Sequence, residues 1–208
     1  MLMPFTPRLT QPSPNDPLWV MTSAGGYNGC IAGSWPGGIT NWPCVLPNCT
    51  GYVHGRCMEI AGVTTDNIGL SFNNAYDYWS DTTADWIRDS EPSLGAVVVY
   101  ETIDVPQGVG PYAPEPGHVA VVEEIVDANT IVVSESNWEI SYFDIKTLYR
   151  SDNWDPYPGQ YVSFIGFLRN PYVTPTPILS KARNAILLLA AKKRRKSYAR
   201  IKRNTGII

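Results

Sequence analysis

Four β-branched runs in the second half of the chain limit its fold more than any other feature. They are "LGAVVVYE" from Leu94, "GHVAVVEEIV" from Gly117, "TIVVSESNW" from Thr130 and "YVSFIGFLRN" from Tyr161. Segments of this length and residue type are strands. The second and third are separated only by the polar turn "DANT", which makes them an antiparallel hairpin. Upstream the period changes: in "CTGYVHGRCMEIAG", Val53, Cys57, Ile60 and Ala61 share a helical face, and Gly62 offers a stop. A second short helix is expected around Ala75–Trp79. Helices followed by an antiparallel sheet define the α+β class.

With 208 residues, 44% of them hydrophobic, the chain can bury one sizeable core. The expected organisation is a proline-rich extended arm at 1–24, a domain at 25–170 and a tail at 171–208. The arm is suited to lying along a surface rather than to forming a core. The tail begins with the linker "PYVTPTP". A helix follows, with Ile178, Ala182, Ala185, Ile186 and Leu189 on one face, and then "KKRRKSYARIKR". Residues 1–170 hold 6 basic and 19 acidic residues, a net of -13, whereas 171–208 hold 10 basic residues and no acidic one.

An amphipathic basic segment suits an anionic membrane, nucleic acid or an acidic protein groove. Two of the five residues of the apolar stripe are alanine, a weak membrane anchor, and nucleic acid gives no reason for the stripe. A groove on a neighbouring subunit uses both features, and the acidic body of a second copy is one candidate receptor. Neither a specific nucleic-acid partner nor a membrane span is therefore expected. The longest apolar run of the tail, "AILLLAA", is far short of a bilayer. The N-terminus lacks the apolar stretch of a secretory signal, so conventional export is not expected.

The chemistry centres on "PNCTGY". Pro47 ends any upstream helix and Asn48 is a favoured N-cap, which places Cys49 in a first helical turn. Unpaired N–H groups and the helix dipole favour an anion there, the form in which sulfur is a nucleophile. Taken alone, Cys49 reads first as a small core residue. A nucleophile needs a base, and the chain has two histidines. His54, five residues along the same helix, points off the cysteine's face and suits a surface or capping role. His118 opens a strand after "PEPG" and is the better candidate. Glu135 and Asn137 share a strand face with Ile131 and Val133, and a carboxylate on an apolar face needs a partner. An unbroken hairpin across "DANT" would set His118 opposite residue 139, so pairing with Glu135 requires a bulge or strong curvature.

The other cysteines lie at 30, 44 and 57. Their spacing has no CxxC knuckle, so neither a metal nor another cofactor is expected. Cys57 reads as a buried thiol. Cys30 and Cys44 bracket a loop that a disulfide would close, worth roughly 3 kcal/mol in the entropic picture; in a reducing setting they stay free. Asp77, Asp81, Asp85 and Asp89 recur every four residues and read as a solvated helix face. Trp35, Trp42 and Trp138 flank the candidate elements and are read as lining a substrate groove or packing beside the core.

Taken in order, "NCTGYVHGR", "LGAVVVY", "GHVAVVEEI" and "IVVSESNW" resemble the CHAP family, the cysteine, histidine-dependent amidohydrolases/peptidases. The resemblance runs from about Gly26 to Asn170 and implies a papain-like, NlpC-like fold. It implies Cys49 as nucleophile, His118 as general base, Glu135 as the group orienting the histidine and Asn137 as its polar companion. Gly117 corresponds to the glycine before the histidine. The implied substrate is host peptidoglycan, cut at an amide bond through an acyl-enzyme. The reading is a bacteriophage lysin on the virion tail, docked to tail proteins through residues 1–24 and 171–208. The alternatives are a holin-released endolysin acting from the host cytoplasm, and a structural virion protein that keeps the fold for assembly.

Overall fold

The computed structural model describes residues 4–21, 44–64, 67–103, 117–137, 141–158 and 162–174. The chain divides into a unit spanning Met1–Thr174 and a second spanning Pro175–Ile208. The second, with the helix expected in the tail, lies outside the described residues.

The first unit is α+β. Its long helix α1 (Cys49–Ala61) is fixed at both ends by local chemistry. Asn48 is extended, and its side-chain oxygen accepts from the N–H of Gly51 at 2.9 Å. At the other end Gly62 is left-handed at φ 69°. Its N–H reaches the carbonyl of Glu59 while that of Val63 reaches Met58, the glycine-closed helix stop. Every residue from Thr50 to Met58 is buried, so the helix is covered all round. Beside it a parallel pair is formed by β1 (Trp19–Met21) and β2 (Cys44–Leu46). The backbones come close: a Cβ on Gly51 would lie 2.2 Å from the carbonyl oxygen of Val45.

The main sheet is antiparallel. Its strands are β3 (Ile87–Asp89), β4 (Val97–Thr102), β5 (His118–Asp127), β6 (Thr130–Asn137), β7 (Ser141–Tyr149) and β8 (Val162–Arg169), in the order β3-β8-β4-β5-β6-β7. Alternation along the strands gives it two apolar faces. Val97, Val99, Val119 and Val121 join Tyr52, Val53 and Cys57 of α1 in one core. Val98, Ala120, Val122, Ile131 and Val133 join Leu148, Trp154 and Phe167 in the other.

Three expectations from the sequence change. Residues 4–21 run along the domain's own surface, and at Leu18 and Trp19 they enter its core. Arg8 bonds Glu59 through its side chain and Glu123 through its backbone N–H, and Arg56 donates to the carbonyl of Thr6. His54 is fully buried rather than on the surface. The segment before β3 closes over α1, so that Nε2 of His54 meets the carbonyl of Ser71 at 2.7 Å and its ring stacks on Phe72. The aspartates at 77, 81, 85 and 89 do not share a helix. A 3-10 turn (Ala75–Asp77) and α2 (Tyr78–Asp81) end before Thr82 turns extended, and Asp89 lies on β3, where it pairs with Arg169.

Arg56 and Glu123 form a buried ion pair that joins α1 to β5, with guanidinium Nε and Nη2 each 2.8 Å from a carboxylate oxygen. Ser134 and the backbone of Arg8 complete the carboxylate's contacts. A cavity of about 410 Å³ next to Arg8 and Arg56 therefore faces guanidinium groups already paired with Glu59 and Glu123. Breaking the pair from one side strands a buried charge. Arg56→Met should lower unfolding stability by about 3–5 kcal/mol in a denaturant titration; a loss below about 1 kcal/mol would mean that Glu123 is sustained by its other partners.

Candidate active site

The hairpin of β5 and β6 is interrupted twice, and this brings the candidate residues together. Its pairs run Asp127–Thr130, then Ile125–Ile131 and Glu124–Val132, then Val122–Val133 and Val121–Ser134. At each interruption β5 carries one residue more than β6, the signature of a β-bulge. The ladder continued beyond Val121–Ser134 sets Ala120 level with Glu135. His118 and Glu135 thus become diagonal neighbours on one face, within side-chain reach. Nε2 of His118 meets Oε2 of Glu135 at 2.8 Å.

Gly117 explains how the chain enters β5. Its φ is +63°, and a Cβ there would sit 2.4 Å from the carbonyl oxygen of Tyr100. Only glycine fits both conditions. The ring of His118 is nearly buried between Tyr100 and Tyr157.

Cys49 enters from the first turn of α1 and hydrogen-bonds the His118 side chain. Because Nε2 serves Glu135, Nδ1 is the nitrogen left for the sulfur. Cys49 is a free, half-buried thiol. The backbone N–H of Asn48 is held by Oγ of Ser136 on β6 at 3.0 Å, so the start of the helix is fastened to the strand that carries Glu135. The first helical hydrogen bond runs from Tyr52 N–H to the Asn48 carbonyl, and the cap takes Gly51 N–H. The N–H groups of Cys49 and Thr50 therefore have no acceptor within the helix and stand beside the sulfur.

Electrostatics couple the three groups. Burial opposes the charge on His118, but the Glu135 carboxylate and the hydrogen bond with Cys49 outweigh it, and its pKa is pushed up to about 10. Burial likewise opposes ionisation of Glu135, yet the His118 charge, the bonds from His118 and Tyr157 and the nearby Lys146 hold its carboxyl below the usual range. At neutral pH the pair is imidazolium and carboxylate.

Two residues at this site were not anticipated. Tyr157 donates its hydroxyl to Oε1 of Glu135 and also hydrogen-bonds the Asn137 side chain. Lys146, on β7, lies 3.7 Å from the same Oε1 and 4.4 Å above the Tyr157 ring. One signal was available: Lys146 is the sole lysine among residues 1–170, and β7 pairs it with inward-facing Val133. Trp35, Trp42, Trp138 and Cys30 lie outside the described residues. Cys44 is disulfide-bonded, whereas Cys57 is buried in the core. Among the described residues no group of three or more His, Cys, Asp and Glu side chains could hold a metal ion, and no helix is long and apolar enough to cross a membrane.

Residues 39–137 match the family model of the CHAP domain, which encloses α1, β4, β5 and β6. Over those residues the chain is similar to the CHAP family. No curated protein matches it. Among solved structures, an N-acetylmuramoyl-L-alanine amidase from Staphylococcus aureus is similar at 22% identity and a TM-score of 0.35. That likeness covers 57% of this chain and 30% of the amidase, so the chain spans under a third of that protein's length.

The coupling predicts a titration. Followed by NMR of the ring proton, His118 should stay protonated through neutral pH and lose its proton near pH 10. Removing the Glu135 charge removes support for the imidazolium, so Glu135→Gln should lower that midpoint by more than about one unit. An unmoved midpoint would show that Glu135 does not govern the ring.

Proposed function

We propose that this chain hydrolyses an amide bond of bacterial peptidoglycan through an acyl-enzyme on Cys49. The observation that carries the reading is the His118 ring, held between the Cys49 thiol and the Glu135 carboxylate at the start of a capped helix. Peptidoglycan is the usual substrate of the CHAP family.

Cys49 reacts as the thiolate, its proton carried by His118: the sulfur attacks the carbonyl carbon, forming a C–S bond while the carbonyl electron pair moves to oxygen. The N–H groups of Cys49 and Thr50 are the donors nearest that oxyanion. His118 passes its Nδ1 proton to the amine, which leaves as the C–N bond breaks. Water then gives a proton to His118 as its oxygen attacks the thioester, releasing the acid and the Cys49 sulfur. Throughout, Glu135 holds the ring by Nε2, keeping Nδ1 toward the sulfur.

Purified peptidoglycan digested by the protein should yield new amino termini, and mass spectrometry of the ends distinguishes the sugar–alanine bond from a bond within the stem or cross-bridge. Cys49→Ala should lower the rate by a factor of about a thousand or more, with folding unchanged. Comparable digestion by that variant would end the proposal.

The finer reading is a tail-associated lysin of a bacteriophage, and the charge division of the chain supports it. Residues 4–21 are engaged with the domain's own helix, which leaves the basic segment after Thr174 as the docking element. Tyr172 packs against the core and Val173 lies close to Gly95, so a chain shortened to end at Thr174 keeps the domain whole. It should digest free peptidoglycan at the full-length rate yet fail to enter virus particles. Normal incorporation would remove the tail-docking role.

A further inference from the structure

Glu135 is fully buried, and only one of its oxygens is used by His118. The groups facing it come from five elements. His118 stands on β5, Tyr100 on β4, and Asp144 and Lys146 on β7. Tyr157 follows β7, Asp155 beside it acts on Tyr100, and Cys49 acts from α1 through His118. Of these, Tyr157 donates to Oε1 and Lys146 lies beside the same oxygen.

The backbone that delivers Tyr157 is unusual. A 3-10 turn at Arg150–Asp152 leads into Asn153 and Trp154, both left-handed, at φ 53° and 58°. Such a conformation is rare for a residue as large as tryptophan and persists only where the surroundings enforce it. Here they do. The Trp154 ring is buried against Phe167, its carbonyl accepts from the Tyr100 hydroxyl at 2.7 Å, and Arg150 covers it while pairing with Glu91. Asp155 then accepts from the Tyr157 N–H at 2.7 Å.

We propose that Tyr157, assisted by Lys146, is a positioning residue for hydrolysis: the two hold Oε1 of Glu135 so that Oε2 stays on His118 and His118 stays turned toward Cys49. Burial and the neighbouring carboxylate push the phenol well above its ordinary range, so it remains a donor at every working pH. The Tyr157 ring also stands edge-on to His118, with centroids 5.3 Å apart, which limits tilting of the imidazole.

This inference rests on the hydrolytic reading, so its test needs a readout that does not require turnover. Tyr157→Phe keeps the ring and removes the hydroxyl. The expected result is a roughly ten- to hundredfold fall in kcat with KM little changed, the scale of a hydrogen bond to a buried charge. The phenol favours the ionised carboxyl, so without it Glu135 protonates at higher pH and the acid limb of kcat/KM moves up. The acid limb of Cys49 alkylation by iodoacetamide should move the same way, and Lys146→Met should shift both limbs in that direction. Wild-type kinetics in Tyr157→Phe would overturn the proposal, and so would a loss of rate with both limbs unmoved. If the unmodified protein cleaves no peptidoglycan, the substrate reading falls, and the alkylation profile alone decides the role of Tyr157.

Discussion

The two interruptions in the β5–β6 ladder each add a residue to β5, and the consequences fall on both faces of the sheet. On one face Glu123 and Ser134 meet each other and the Arg56 and Tyr52 side chains of α1. On the other His118 comes diagonal to Glu135. An unbroken ladder would keep each side chain on its own face but slide the partners apart by two residues. Glu123 would then lose Ser134 and the histidine its carboxylate. One irregular hairpin thus brings Ser134 to Glu123 beside α1 and Glu135 to His118.

Much of this was legible in the residues. The four β-branched runs lie on strands, and Asn48 and Gly62 bound the helix, because those signals are local and the structure satisfies them locally. The positions of the bulges were not legible. Nothing in "GHVAVVEEIVDANTIVVSESNW" marks which residue of β5 will be left over, since the choice depends on packing against both faces at once. His54 escaped for a related reason: helical spacing tells which residues share a face, but not that a later segment will cover the remaining one. Tyr157 sits in an irregular stretch between prolines, where no period exists to read.

The N-terminal segment shows how a sequence rich in proline can still belong to a core. Prolines at 4, 7, 12, 14 and 17 keep it extended and free of competing helix. The contacts come from the residues between them: Phe5 under Arg56, Arg8 on Glu59 and Trp19, then Leu18 and Trp19 inside. Its charges complete a network of alternating sign, Glu123, Arg56, Glu59 and Arg8, which leaves the buried Glu123 compensated.

Strand β6 is shared in alternation. Ser134 and Ser136 point to the helix side, where they hold Tyr52 and the backbone of Asn48; Glu135, between them, points to the histidine. The helix that carries Cys49 and the carboxylate that meets His118 are thus mounted on three consecutive residues. When the sheet flexes, both attachments travel as a single rigid mount, so breathing of the sheet is common-mode for the sulfur and the carboxylate.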